Sequence, residues 1–125
     1  MEDIKMKRVL IVDDSKIARE MLKKVILSLG HEIVGEAIDG QDGVTKYKEL
    51  NPDIIFSDIE MPIMDGFETL KKIMEYDKDA YIVMVSSVVN SQILKKISLS
   101  GAKNIIKKPF SSKQIELIFQ ALDRV

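Results

Sequence analysis

Short apolar runs alternate with amphipathic segments five times along the chain, and this alternation is its clearest structural signal. The runs are rich in valine and isoleucine, and they lie near residues 7–12, 32–37, 53–57, 81–86 and 104–107. Several runs are apolar on both faces, which is typical of strands in a parallel sheet that helices cover on both sides. The pattern therefore predicts five largely buried strands.

The segments between these runs show the three- and four-residue spacing of amphipathic helices. The first has apolar residues at positions 18, 21, 22, 25 and 29, and Gly30 then predicts its end. A weaker helix is predicted near 41–50, and it should end at Asn51 because the residue before a proline disfavours the helical region. The remaining helices are predicted to begin after Gly66, Asn90 and Ser111.

Strands that alternate with helices in this way require parallel strands joined by right-handed crossovers, which gives an α/β fold. We expect residues 1–125 to form a single domain of this class, because the length matches a common domain size and no linker or repeat interrupts the pattern. In open parallel sheets, ligands bind beyond the carboxyl ends of the strands. Polar residues at those ends are therefore the first candidates for a functional site.

Five polar residues stand where four of the predicted strands end. They are Asp13 and Asp14 after the first run, Asp58 at the end of the third, Ser86 at the end of the fourth and Lys108 after the fifth. Any one of them alone would be an ordinary turn, helix-cap or solvated residue. Their joint placement at one edge of the sheet indicates a shared site.

The chemistry of these side chains suits phosphoryl transfer. Two carboxylates roughly 4 Å apart repel by about 4 kcal/mol at an effective dielectric near 20. A hard divalent cation relieves this repulsion, and carboxylate, carbonyl and water oxygens are the ligands that suit Mg²⁺. A carboxylate beside such an ion can attack phosphorus and become an acyl phosphate. Lys108 and the Ser86 hydroxyl could then donate hydrogen bonds to the transferred group.

Composition narrows the classes of partner. The 125 residues are 46% hydrophobic and 31% charged, as in a globular protein, and 19 basic against 20 acidic residues leave a net charge of −1. That balance gives no excess of positive charge for binding nucleic acid or an anionic membrane. No apolar run reaches the roughly 20 residues of a transmembrane helix. The chain contains no cysteine, which excludes disulfides and fits the cytoplasm, where we expect the protein to reside.

Two further residues carry local expectations. His31 follows Gly30 in a predicted turn, and with no second histidine and no cysteine we expect it to be a solvated turn residue rather than a metal ligand. Pro109 follows Lys108, and a cis peptide bond between them would fix the direction of the lysine side chain. We therefore predict a cis Lys108–Pro109 bond.

Four segments together closely resemble response-regulator receiver domains, and the single-domain, CheY-like chemotaxis type is the nearest subclass. The segments are Val9–Ser15, Ser57–Gly66, Met84–Ser86 and Gly101–Ala102 leading to Lys107–Phe110. The resemblance covers essentially the whole chain. It implies the flavodoxin-like doubly wound fold, a five-stranded parallel sheet of order 2-1-3-4-5 with five helices, for which CheY itself is an example.

The resemblance implies a role for each acidic residue of the candidate site. Asp58 matches the phosphoacceptor aspartate, which also contributes to the Mg²⁺ site. Asp14 matches the direct carboxylate ligand of the ion, and Asp13 its acidic partner that binds directly or through water. Glu60 matches the residue whose backbone carbonyl completes the protein ligands. The phosphoryl donor would be a phosphohistidine of a histidine kinase or phosphotransfer protein, or a small acyl phosphate.

The resemblance also implies how the phosphoryl group is sensed. Ser86 matches the switch hydroxyl that closes on the group, and Lys108 the lysine that pairs with it. Three residues before that lysine, receivers commonly carry a Tyr or Phe that turns inward, whereas this chain has Ile105. Isoleucine has a stiff χ1 angle and little area to relocate. The signal could therefore pass through the loop at 86–89, and Ile105 could equally be a strand residue with no switching role.

The stretch Ser87–Val89 and nearby Ile93 leave two interpretations open. They could form an apolar surface for a partner, or they could pack as part of the core.

Three functional hypotheses follow. The leading one is a phosphorylatable regulator, a monomer or weak dimer, that binds a downstream effector and catalyses only its own phosphorylation and dephosphorylation. The second is a small Mg²⁺-dependent phosphatase with an aspartate nucleophile. Such an enzyme needs a second acid two residues later, which Glu60 imitates loosely, and no insertion is long enough to cap a substrate pocket. The third is a degenerate receiver that binds partners without phosphate, against which the intact set of polar residues argues.

Overall fold

The structure is a computed structural model that describes residues 5–124. Its strands are β1 (Arg8–Val12), β2 (Glu32–Ala37), β3 (Ile54–Asp58), β4 (Ile82–Ser86) and β5 (Asn104–Lys107). Its helices are α1 (Lys16–Ser28), α2 (Gly40–Leu50), α3 (Gly66–Tyr76), α4 (Ser91–Ser100) and α5 (Ser112–Asp123). The predicted apolar runs differ from the observed strands by no more than one residue at either end.

The five strands pair in parallel in the order β2-β1-β3-β4-β5, which confirms the order that the resemblance implies. The register pairs nearest the carboxyl ends are Val12 with Ser57, Asp58 with Val85 and Ser86 with Lys107. Because β1, β3, β4 and β5 end almost level with one another, the residues that follow them are gathered at one edge of the sheet.

The sheet is buried on both faces because alternate strand residues point into two separate cores. Leu10 and Ile55 pack in the core shared with α2, α3 and α4. Val9 and Phe56 pack in the core shared with α1 and α5. Burial of one large apolar side chain stabilises a fold by about 1.5–3 kcal/mol. Every residue of β3 and β4 is buried, so the positions of their carboxyl ends are strongly determined.

Capping side chains fix the start of each helix. In all five helices a side-chain oxygen accepts a hydrogen bond from the backbone N–H three residues on, and such a cap contributes about 1 kcal/mol. The capping residues are Ser15, Asp39, Asp65, Asn90 and Ser111. Within residues 5–124, no helix combines the length and the apolar character needed to cross a bilayer. Since each helix starts shortly after a strand ends, the caps help to shape the edge where the polar residues stand.

The turn between β3 and α3 is pressed against the end of β3 at Gly66. A Cβ atom at this position would lie 2.3 Å from the Asp58 carbonyl oxygen and 2.8 Å from the Ile59 Cα, both of them backbone atoms. The Gly66 N–H also donates a hydrogen bond to the Ile59 carbonyl oxygen at 2.8 Å. Only glycine permits this close approach, which holds the loop next to Asp58.

His31 is buried, which corrects the prediction that it is a solvated turn residue. Its exposed fraction is 4%, and its ring stacks on that of Phe119 with 3.8 Å between the ring centroids. Its Nδ1 accepts a hydrogen bond from the Lys7 backbone N–H at 3.0 Å. The prediction was wrong because the stacking partner lies on α5, far along the chain, and no local pattern near residue 31 reports it.

The buried histidine predicts a pH-dependent stability. Burial lowers the pKa of His31 below its usual 6.5. The negative charge of Asp123 opposes this shift, and the positive charge of Lys7 adds to it. The unfolded chain therefore takes up a proton first as the pH falls. The stabilisation from neutral His31 is complete above pH 6.5 and is lost progressively below it. We expect the free energy of unfolding to fall between about pH 7.5 and about pH 5.5, and His31→Gln to remove part of this fall.

Urea denaturation of wild type and His31→Gln over this pH range measures the effect. The variant should be less stable at neutral pH by about 1–3 kcal/mol, because it loses the ring stacked on Phe119. Its stability should also change less with pH. If the free energy of unfolding changed equally with pH in the two proteins, this would contradict a buried neutral histidine.

Candidate functional site

The polar residues predicted at the strand ends all lie at the carboxyl edge of the sheet. Asp13 and Asp14 directly follow β1, Asp58 and Ser86 are the last residues of β3 and β4, and Lys108 directly follows β5. The structure brings the three aspartates together and places the lysine against two of them. The serine hydroxyl instead makes its contacts on the far side of Asp58, towards the β3–α3 loop.

Three carboxylates form the centre of the site. One oxygen each of Asp13, Asp14 and Asp58 lies within 4.8 Å of the other two. Asp13 and Asp58 are 5% and 6% exposed, whereas Asp14 is open to solvent. A donor set of oxygens only, with one side open to water, fits Mg²⁺, which usually keeps several of its own water ligands. The residues present therefore fit the metal that the sequence indicates.

Hydrogen bonds hold Asp13 in place from two sides. Its Oδ1 accepts from the Ser15 N–H at 2.8 Å, and the Arg19 guanidinium donates to its carbonyl oxygen at 2.7 Å. Its Oδ2 accepts from the Lys108 ammonium at 2.9 Å. These contacts orient the Asp13 carboxylate toward Asp58.

The Asp58 carboxyl is shifted toward its protonated form. Burial raises its pKa from 3.8 to about 6, the negative charge of Asp13 adds to the rise, Lys108 opposes it, and the charge of Glu60 adds a smaller increment. Burial and like charges both disfavour the ionised carboxyl. A cation bound to the three aspartates would reverse this balance and favour the ionised, nucleophilic carboxylate.

Lys108 reaches the carboxylates from the end of β5. Its Nζ lies 2.9 Å from Asp13 Oδ2 and 3.5 Å from Asp58 Oδ1. Burial opposes its charge, but the hydrogen bond to Asp13 and the charges of both carboxylates outweigh burial and raise the pKa of Lys108. The ammonium is therefore charged at neutral pH. The Lys108–Pro109 peptide bond is cis, which confirms that prediction.

The Ser86 hydroxyl contacts Glu60. Ser86 is fully buried, and its Oγ lies 2.8 Å and 3.0 Å from the two carboxylate oxygens of Glu60. The Val88 N–H donates to the same Oγ at 3.0 Å, and the Val88 carbonyl oxygen lies 2.7 Å from it. The Ser87 hydroxyl lies 3.3 Å from Glu60 Oε1. This side-chain contact was not predicted, although β3 beside β4 places the residues after Asp58 near those after Ser86.

The remaining candidate positions divide between core and surface. Ile105 lies beside Met84 in the register of β4 and β5 and is partly buried against the core shared with α2–α4. Ile93 packs on the same core. Val88 is 51% exposed. Of the two interpretations of this region, core packing thus applies to Ile93 and a surface position to Val88.

Comparison with known proteins agrees with this geometry. The family described as response regulator receiver domain matches residues 9–120. The chemotaxis protein CheY of Thermotoga maritima is 43% identical over 119 residues, which cover 95% of this chain and 97% of that protein. The chemotaxis protein CheY of Treponema pallidum is 44% identical over 110 residues, which cover 86% of this chain and 76% of the relative.

The fold also matches solved structures of this kind. CheY in the CheX–CheY–BeF₃–Mg²⁺ complex from Borrelia burgdorferi superposes with a TM-score of 0.88 and 38% sequence identity. The match covers 93% of this chain and 88% of that chain. That relative was thus captured with Mg²⁺, a beryllium fluoride and a protein partner.

Asp58→Asn is expected to stabilise the protein when metal is removed. The folded-state pKa of about 6 lies above the usual 3.8, so ionising the buried carboxyl destabilises the fold progressively as the pH rises between these values, and fully above them. A neutral amide removes this penalty. The free energy of unfolding should therefore rise by about 1–3 kcal/mol at neutral pH.

Urea denaturation in the presence of EDTA measures this difference. The gap between variant and wild type should close as the pH falls through 3.8, because Asp58 becomes protonated in both states below that value. Added Mg²⁺ should stabilise the wild type more than the variant, since the variant lacks one carboxylate ligand. A variant less stable than wild type at neutral pH in chelator would contradict the repulsion described above.

Proposed function

This chain belongs to the family of response-regulator receiver domains, which act in two-component signal transduction, and we propose that phosphorylation of Asp58 switches its binding to partners. The position of Asp58 carries the proposal. It ends a fully buried central strand, with oxygens of Asp13 and Asp14 within 4.8 Å and the Lys108 ammonium at 3.5 Å. The proposal treats residues 1–125 as one receiver domain, which the match over residues 9–120 supports.

Asp58 is the nucleophile of the proposed transfer. One of its carboxylate oxygens attacks the phosphorus of a phosphohistidine, so that a P–O bond forms, the P–N bond breaks and the imidazole leaves with the bonding electron pair. Mg²⁺ held by Asp13, Asp14, Asp58 and the Glu60 backbone carbonyl would neutralise charge on the reacting oxygens. The signal ends when a water oxygen attacks the same phosphorus and the bond between phosphorus and the Asp58 oxygen breaks. The Asp58 carboxylate leaves with the bonding electron pair, and both hydrogens of the water stay with the inorganic phosphate.

Lys108 and Ser86 bind the transferred group in this proposal. Lys108 is charged and already contacts Asp58, so its ammonium can donate to a phosphoryl oxygen through a strong, charge-assisted hydrogen bond. Ser86 ends the neighbouring strand, and its hydroxyl can donate to a second oxygen once it turns from its present contacts. Because the hydroxyl accepts a hydrogen bond from the Val88 N–H and lies 2.7 Å from the Val88 carbonyl oxygen, such a turn would move the loop that follows β4.

The proposal extends to donors, partners and location. The donor is the phosphohistidine of a histidine kinase or phosphotransfer protein, or a small acyl phosphate, and the recipient of the signal is an effector protein. Two relatives named for chemotaxis support a chemotaxis pathway. The relative in complex with CheX supports a protein as the partner. We place this exchange in the cytoplasm and propose a monomer or weak dimer.

An aspartate-nucleophile phosphatase is the less well supported function. Such an enzyme needs a free acid two residues after the nucleophile, whereas the Glu60 carboxylate is hydrogen-bonded by the Ser86 hydroxyl and approached by that of Ser87. The two relatives above are named as chemotaxis proteins, and neither name states an enzyme activity. We therefore propose that the chain catalyses only its own phosphorylation and dephosphorylation.

Phosphorylation by a small donor tests the proposal directly. Incubation with acetyl phosphate and Mg²⁺ should give one phosphoryl adduct on the wild type by intact-mass measurement. EDTA should abolish the adduct, because the three carboxylates then repel both each other and the donor. Asp58→Asn should give none, because an amide cannot serve as the nucleophile.

Asp53→Asn is the matched control. Asp53 directly precedes β3, at the opposite end of the strand that Asp58 closes, so this variant loses a charge without changing the site. It should be phosphorylated to the same extent as the wild type. An unmodified wild type, or an adduct that persists in Asp58→Asn, would refute the proposed role of Asp58.

The role of Ile105 is tested by restoring an aromatic ring. If the loop after β4 carries the signal, BeF₃⁻ with Mg²⁺ should change hydrogen–deuterium exchange at residues 86–90 to the same extent in wild type and Ile105→Tyr. Exchange at β2, the strand at the far edge of the sheet, serves as the internal reference. A response present only in the tyrosine variant would show that this chain needs an aromatic side chain to transmit the change.

A further inference from the structure

We propose that Glu60 is a positioning residue whose carboxylate holds the Ser86 hydroxyl away from Asp58 in the resting protein, so that phosphorylation must release this contact. The inference rests on the proposed function, because it assigns a resting partner to the hydroxyl that would bind the phosphoryl group. It concerns the side chain of Glu60, whereas the proposed metal site would use only the backbone carbonyl of this residue.

The Ser86 hydroxyl has two acceptors within reach at rest, the Glu60 carboxylate and the Val88 carbonyl oxygen. The Ser86 Oγ approaches both Glu60 carboxylate oxygens, at 2.8 Å and 3.0 Å. An ionised carboxylate carries no hydrogen, so oxygens this close attract only if the serine donates. Ser86 is fully buried, and the Val88 N–H already occupies one of its lone pairs. The hydroxyl is thus held at its donor and its acceptor side.

The same hydrogen cannot serve two acceptors well. A serine hydroxyl has one donor hydrogen, and a phosphoryl oxygen on Asp58 would compete for it with Glu60 and with the Val88 carbonyl oxygen at 2.7 Å. A hydrogen bond to a charged acceptor is stronger than one to a neutral acceptor. Breaking the contact with Glu60 therefore costs free energy. This cost disfavours the state in which the Ser86 hydroxyl binds the phosphoryl group.

Phosphorylation weakens the contact that it must break. Glu60 stands two residues after Asp58, and its charge already contributes to the raised pKa of that carboxyl. A phosphoryl group carries more negative charge than the carboxylate it replaces, so the repulsion of Glu60 increases. Glu60 is exposed and can move into water, where it is resolvated. The arrangement predicts two positions for the Ser86 hydroxyl. It contacts Glu60 at rest and donates to the phosphoryl group after transfer.

A cycle of four proteins tests the coupling, with BeF₃⁻ in excess Mg²⁺ as the probe. Affinity is measured by NMR titration for wild type, Glu60→Ala, Ser86→Ala and the double variant. Glu60→Ala should bind BeF₃⁻ about tenfold more tightly than wild type, because the charged acceptor no longer competes for the hydroxyl and only the neutral Val88 carbonyl oxygen does. In the Ser86→Ala background the same substitution should change the affinity by less than about threefold, since only the effect of charge is left.

Two further variants separate the contact from its alternatives. Glu60→Gln keeps an acceptor oxygen but no charge, and should lie between wild type and Glu60→Ala. Glu68→Ala removes another exposed acidic side chain, from the first turn of α3, and should leave the affinity unchanged. An equal gain from Glu60→Ala with and without the Ser86 hydroxyl would overturn the proposal, because charge alone would then explain it.

The resting contact is tested without any phosphoryl mimic. The Val88 amide donates to Ser86 Oγ, so its ¹H and ¹⁵N resonances report the position of the hydroxyl. They should shift in Glu60→Ala toward their position in the BeF₃⁻ complex, and should not shift in Glu68→Ala. Unchanged Val88 resonances in Glu60→Ala would overturn the resting contact. A wild type that binds no BeF₃⁻ would refute the proposed function instead, and the resonances would still decide the contact.

Discussion

Burial of like charges at the ends of β1 and β3 is the constraint on which the rest of the site depends. Parallel pairing sets these strand ends side by side, so Asp13 and Asp58 lose their solvent together. Lys108 offsets part of the repulsion, yet the pKa of Asp58 still rises to about 6. The edge of the sheet therefore holds more negative charge than its own residues balance, and binding a cation is the change that relieves it most directly.

The residues on one side of the site are held in place by several hydrogen bonds, whereas the hydroxyl on the other side bonds to loop groups. On the β1 side, Asp13 is bonded by the Ser15 backbone, by the Arg19 guanidinium at its carbonyl and by Lys108. On the β4 side, the partners of the Ser86 hydroxyl within residues 5–124 all lie in the two loops after β3 and β4. Rigid ligands suit a metal site, where geometry decides affinity, whereas loop partners can exchange. In the proposed function, this division puts metal binding on one side of Asp58 and the response to phosphorylation on the other.

The features predicted from sequence are those set by local pattern. The apolar runs located the strands because periodicity and burial act residue by residue, and the strand ends then located Asp13, Asp58 and Lys108. The strand order came from the resemblance. The burial of His31 on Phe119 and the contact of Glu60 with Ser86 depend on segments distant in sequence, and neither pattern nor composition encodes which side chains meet there.

A switch of this kind can be small in energy without being weak in effect. A charge-assisted hydrogen bond contributes about 1.5–3 kcal/mol, against the 5–15 kcal/mol that stabilise a typical domain, so the serine can change partners while the two cores stay intact. A difference of about 1.4 kcal/mol already changes a population ratio tenfold. With Ile105 offering a stiff aliphatic side chain rather than a mobile ring, the proposed exchange of one hydrogen bond of Ser86 would be a sufficient source for a change at the protein surface.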